Sequence, residues 1–211
     1  MLLMLGSGLF WMATYVLIIR RGFLDRTYGM PLVALCTNLS WEFIFSFVYP
    51  HVAPYIYTNV VWLSLDVVIL IQFLKFGPSE FPSLSTKRLY LTLLVVQLVS
   101  FCTVLLVSVE FDDTYHGAYA AFGQNLMISV LFIAMLSGRD DVRGQSPYIA
   151  LSKMIGTALA SLAFYLFPPA RFEGSVLLPF LSAATFVFDL AYVALICQKC
   201  REQGIAPGRR A

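Results

Sequence analysis

The sequence predicts an all-α membrane protein: a bundle of seven membrane-spanning helices, N-terminus outside and C-terminus in the cytoplasm. Three observations lead there. The 211 residues are 59% hydrophobic and only 12% charged, where a soluble domain carries roughly a quarter charged residues. Seven apolar runs approach the ~20 residues needed to cross a ~30 Å hydrocarbon core. The basic residues crowd into alternate connections.

The runs cover residues 2–19, 30–49, 59–75, 87–109, 117–137, 147–167 and 175–198. The first lacks a positive leader and a small-residue cleavage site, so it reads as a retained span and not a signal peptide. The breaks carry the Pro, Gly and charge that stop helices: Arg20-Arg21-Gly22, Gly77-Pro78, Asp112-Asp113, residues 139–144, and Pro168-Pro169. No connection is long enough for a soluble domain, so residues 1–211 read as a single membrane domain.

Orientation follows from Lys and Arg. Arg20, Arg21 and Arg26 follow the first span; Lys75, Lys87 and Arg88 the third; Arg139 and Arg143 the fifth; Lys199, Arg201, Arg209 and Arg210 the seventh. These are twelve of the 14 basic residues. The other side has Arg171 alone, and Lys153 lies inside the sixth span. The composition excludes a disulfide scaffold, since four Cys are too few, and nucleic-acid binding, since the net charge is only +2 with no basic block.

Glu42, Asp66, Asp189 and Lys153 are ionisable groups within apolar runs. A charge at the bilayer centre costs at least ~2.5 kcal/mol, so such residues face the bundle interior and carry function. At 1.5 Å rise per residue the three acids lie about 14–17 Å from the cytoplasmic edge, near one plane, and Lys153 lies shallower. Each lies on a polar or aromatic helix face: Asn38, Glu42, Phe45 and Tyr49; Trp62, Asp66 and Phe73; Ser182, Thr185, Asp189 and Tyr192; Lys153, Thr157, Ser161 and Tyr165. The fifth span adds Asn125 and Ser129. Asp66 is a candidate partner for Lys153, whereas Glu42 and Asp189 have no evident basic partner. A dry cavity favours the neutral form of a carboxyl, which then serves as a general acid, while a wetter carboxyl stays ionised. Aromatic faces hold a developing cation. Acid, base and rings suit carbocation chemistry on a lipophilic substrate, and they equally suit a proton-coupled transporter.

The segment Asn38-Leu39-Ser40-Trp41-Glu42 resembles the N-x-x-W-E motif of the small integral-membrane terpene cyclases, seven-span enzymes of fungal meroterpenoid and indole-diterpene pathways and of bacterial indole-sesquiterpene pathways. The segments from Trp62 to Asp66 and from Phe188 to Tyr192 are similar to that family's later acidic positions. The resemblance implies a metal-free enzyme with no cofactor. Such an enzyme protonates an epoxide or terminal alkene of a prenyl chain on an aromatic head, closes rings through cations and sheds a final proton. It makes Glu42 the proton donor and Asp189 its assistant or the cation's stabiliser. Asp66 supports either, or takes the last proton. Asn38, Trp41, Phe45, Trp62, Asn125, Thr185 and Tyr192 are expected to line the substrate. The short chain looks closer to the bacterial members, implying a bacterial cytoplasmic membrane and a farnesyl-length tail on an indole-type head. The expected partners are this lipophilic substrate and membrane lipid, with no nucleic acid and no metal. The cavity is expected between spans two, three and seven, open towards lipid.

Other signals are weaker. Asp112-Asp113 and Asp140-Asp141 lack the third acid of a diphosphate-binding motif and lie in connections. Cys197 and Cys200 form a lone C-x-x-C. His51 and His116 are far apart in sequence and form no metal set. A retinal protein needs a Lys deep in the last span, and none precedes Lys199 there. A small transporter remains the alternative.

Overall fold

The computed structural model describes residues 2–210, and every element of regular structure among them is helical. The helices are α1 (Leu2–Asp25), α2 (Leu32–Phe43, continuing as a π-helical stretch Ile44–Val48), α3 (Tyr55–Glu80), α4 (Thr86–Glu110), α5 (Ala118–Arg139), α6 (Pro147–Leu166) and α7 (Leu177–Glu202). All except α2 are long and apolar enough to cross a membrane. α2 with its π continuation is shorter, Leu32–Val48, at the lower limit of a spanning length. The chain is a multi-pass integral membrane protein.

Several helices outrun the apolar runs. α3 continues through Pro78 to Glu80, where the sequence predicts a break. Proline leaves the carbonyl four residues back without its donor. That carbonyl belongs to Leu74, and the Tyr90 hydroxyl of α4 donates to it at 2.9 Å. α1 continues past Arg20-Arg21-Gly22 to Asp25, closed by an Arg21–Asp25 ion pair one turn apart. Gly22 lets α3 approach so closely that a methyl there would collide with Gln72, whose amide donates to the Ile19 carbonyl at 2.6 Å. Ser85 and Ser146 cap α4 and α6 through their side chains, with Pro147 opening α6.

Six helices close a ring: α1 packs on α6, α6 on α7, α7 on α5, α5 on α2, α2 on α3, and α3 back on α1. α4 lies outside it, mainly against α2. Gln97 of α4 donates to Ser40 of α2 at 2.8 Å. α1 and α6 pack most extensively, through small residues as membrane helices do: Gly156 faces Trp11, and the Ser152 hydroxyl donates to the Phe10 carbonyl. The outward faces are apolar, for example Leu94, Val95, Leu98 and Val99 on α4 and Val187 and Leu190 on α7.

The basic connections gather at one end and are tied together. Asp25 accepts from the Gly144 amide and from Arg210. Arg143 bridges Glu80 and Asp141, and Lys199 pairs with Asp140.

Candidate active site

The N-terminal turns of α2 put Asn38 and Glu42 four residues apart on one helix face. Both are buried. α1 presents its buried stripe Ser7, Trp11, Thr14, Tyr15 and Ile18 to the interior. From it the Tyr15 hydroxyl donates to Glu42 Oε1 at 3.0 Å and accepts from Asn38 Nδ2 at 2.8 Å. α3 brings Asp66, fully buried, beside Glu42 and Asn38. α5 adds Gln124, whose amide reaches Asn38 Oδ1 at 3.4 Å. Four helices thus meet on one acid pair. Glu42 Oε2 and both Asp66 oxygens have no hydrogen-bond partner among the described residues. Trp62 stands edge-on to Tyr15, and its indole nitrogen is likewise buried without a partner.

Asp189 belongs to a second centre. Lys153 Nζ of α6 lies 2.6 Å from Asp189 Oδ1 and 2.6 Å from Ser129 Oγ of α5. Asp189 is 1% exposed and Lys153 not at all. Ser129 in turn donates to the Asn125 carbonyl. This corrects the sequence reading twice. Lys153 pairs with Asp189 and not with Asp66, and Asp189 does have a basic partner. Own-helix spacing could not reveal it, because the partner comes from another helix. Lys153 Nζ also lies 5.8 Å from the Trp11 ring centroid, and Trp11 packs on Tyr15. The two rings connect the centres.

The remaining expected residues divide. Trp41 and Phe45 lie towards the opposite end of the bundle from the basic cluster. The Trp41 indole donates to the Gly117 carbonyl at 3.0 Å, and both rings pack around His51. The π-helical stretch frees the Phe45 carbonyl, which accepts from the Asn59 side chain and the His51 amide. Thr185 turns its hydroxyl back to Leu181 of its own helix. Tyr192 donates to Gln145 in the α5–α6 connection, near the basic end. Asn125 contributes its backbone carbonyl alone.

A cavity of about 550 Å³ lies between α6 and α7, under residues 168–175. Of the expected three spans only the seventh lines it; α2 and α3 do not. They pack directly on one another. Asp189 forms part of its wall. His51 and His116, far apart in sequence, come close enough to interact, and burial pushes His51 down to about 4. Sequence reasoning also missed Tyr15, Trp11 and Gln124. The recurrence of Ser7, Trp11, Thr14 and Ile18 at helical spacing was the available signal for α1. Among the described residues no three His, Cys, Asp or Glu side chains converge as a metal-ligand set.

Residues 1–200 match the model of a family described as Pyr4-like transmembrane terpene cyclases. The chain belongs to this family. Similar proteins include the Pyr4-family terpene cyclase mfmH of Annulohypoxylon moriforme, 32% identical over 77% of this chain and 68% of its own. Terpene cyclase penB of Penicillium crustosum is 29% identical over 78% of this chain and 70% of its own. Terpene cyclase pyr4 of Aspergillus fumigatus is 25% identical over 99% of this chain and 90% of its own. No solved structure matches. The protein is therefore a membrane terpene cyclase, and membership sets aside the transporter alternative. These relatives are fungal, and they lend no support to the bacterial setting expected from chain length.

Proposed function

We propose that the cyclase performs a metal-independent, proton-initiated ring closure of a prenyl chain, of farnesyl length, carried on an aromatic or indole-type head. The acting group at the chain's far end is a terminal alkene or its epoxide. The buried pair Glu42–Asp66 carries this reading. Two carboxyls side by side with no cation between them share a proton, because both cannot be ionised in a dry interior. Tyr15 and Asn38 hold one face of Glu42 and leave Oε2 as the atom that delivers the proton.

Protonation generates a carbocation, successive double bonds close on it, and a proton leaves at the end, so the substrate is isomerised with no net gain or loss of atoms. The Glu42–Asp66 pair is restored when that proton returns. Asp189, held in an ion pair by Lys153, keeps a second oxygen without a partner and stabilises the migrating positive charge. Trp11, Tyr15 and Trp62 supply π faces between the two acids. We further propose seven crossings, with the N-terminus outside and the basic end in the cytoplasm, the arrangement favoured by the clustered Lys and Arg.

The test is mass spectrometry of products from membranes containing the protein, supplied with farnesylindole and its terminal epoxide. Turnover is expected in EDTA. Glu42→Gln is expected to lower it by about 10²–10⁴, and Asp66→Asn and Asp189→Asn to lower it strongly while the protein stays folded. Full activity of Glu42→Gln overturns the assignment of the donor.

A further inference from the structure

We infer that the cavity between α6 and α7 is the chamber for the substrate's hydrocarbon chain, with the aromatic head at its outer end and the chain tip at Asp189. The inference rests on the cyclase reading above and adds where and in which direction the substrate lies.

The volume comes first. About 550 Å³ falls within the roughly 300–1,000 Å³ of small-molecule sites. Shape comes next. The wall runs along α7 from Leu178 to Asp189, eleven residues or about 16 Å at 1.5 Å rise. A long, narrow, mostly apolar slot suits a linear chain better than a compact polar ligand.

The two ends differ in chemistry, and this sets direction. At the inner end Asp189 and Thr157, 1% and 2% exposed, line the wall. Asp189 Oδ2, Thr157 Oγ1 and, one turn further along, Ser161 Oγ are buried without a hydrogen-bond partner among the described residues. Buried polar atoms are nearly always paired. Polar atoms left free on the wall of a slot mark a place built to meet a guest's charge. The tip of a protonated prenyl chain carries such a charge. At the outer end the wall is aromatic. Phe164 and Phe172 have ring centroids 5.7 Å apart, and Phe172 meets Tyr119 edge-on at 5.4 Å. A flat aromatic head stacks there as the protein's own rings do. Tyr165 and Phe186, 72% and 44% exposed, form the lateral rim. A greasy molecule therefore passes between α6 and α7 from the side of the bundle.

Ala158 and Ala183 lie on opposite walls of the slot, and a Phe at either shortens it. For Ala158→Phe and Ala183→Phe, kcat/KM for farnesylindole is expected to fall by about tenfold or more while geranylindole is turned over undiminished. The preference between chain lengths thus shifts, which simple destabilisation does not produce. A parallel loss on both substrates, or an unchanged ratio, overturns the inference. Ala183→Leu repeats the measurement should the larger ring prevent folding.

A second readout does not need turnover. A farnesylindole bearing a diazirine at the chain tip is expected to photolabel Met154 or Phe186 of the wild-type protein, with labelling blocked by excess farnesylindole. Labels on α2, α3 or α4 instead overturn the chamber. Equal labelling by a diazirine fatty acid that farnesylindole does not displace makes the slot a lipid groove and also overturns it. Labelling in the slot by a protein that cyclises neither substrate sinks the proposed reaction and leaves the binding site standing.

Discussion

Lys153 of α6 and Asp189 of α7 form a 2.6 Å ion pair that is sealed from the surface on every side. Such a pair is weak evidence for stability as a whole, but breaking one half of it is costly. Lys153→Met should destabilise the fold by about 3–5 kcal/mol because Asp189 is left buried and alone. Adding Asp189→Leu should recover most of that loss, since both polar groups then go together. Thermal unfolding in detergent measures both. Equal stability of the single and double variants refutes the pairing.

Tyr15 links Asn38 to Glu42. Tyr15→Phe removes one hydroxyl and with it two hydrogen bonds. The expected cost is about 1–3 kcal/mol in stability from partners left unsatisfied. Turnover should fall by less than in Glu42→Gln, because the carboxyl is still there to give a proton but is no longer held in place. Product analysis beside a melting curve separates the two effects. A Tyr15→Phe enzyme as inactive as Glu42→Gln would instead place the hydroxyl in the chemistry itself.

Gly117 has φ +61° and offers its carbonyl to Trp41. An alanine there bears the left-handed backbone penalty of about 1–2 kcal/mol, and its methyl overlaps the Phe45 ring. Gly117→Ala should lower the melting temperature and the yield of folded protein, whereas Gly123→Ala, whose added methyl meets nothing, should not. Matching melting temperatures contradict the close packing of Phe45.

His51 makes stability depend on pH. Burial lowers it from the ordinary 6.5 to about 4, with the nearby His116 adding repulsion. The unfolded chain thus takes up a proton at a higher pH than the folded one. The contribution is complete above 6.5 and is lost as pH falls towards 4. Acid unfolding should show this slope, and His51→Gln should flatten it. An unchanged slope places the titration in other groups.

The helices were legible because a bilayer imposes length and apolarity on each, and Pro, Gly and charge mark where the runs end. Their true ends were less legible. Nothing local to Gly77-Pro78 announces that Tyr90, twelve residues beyond Pro78, will satisfy the Leu74 carbonyl and let α3 continue. The burial of Glu42, Asp66 and Asp189 could be read from the cost of placing charge in lipid. How they pair could not, because partners such as Lys153 and Tyr15 arrive from other helices, and helical spacing relates residues of one helix only. For the same reason the cavity is bounded by α6 and α7 while α2 and α3 pack against each other.

Asp25, Glu80, Arg143 and Arg210 clasp the basic end of the bundle shut, and the described slot opens sideways. A reactant that enters by this route comes out of the bilayer and not out of water. Its effective supply is then its mole fraction among the surrounding lipids. Diluting the vesicles with buffer should leave the velocity per enzyme nearly untouched, whereas adding inert phospholipid should lower it, as expected for catalysis confined to two dimensions.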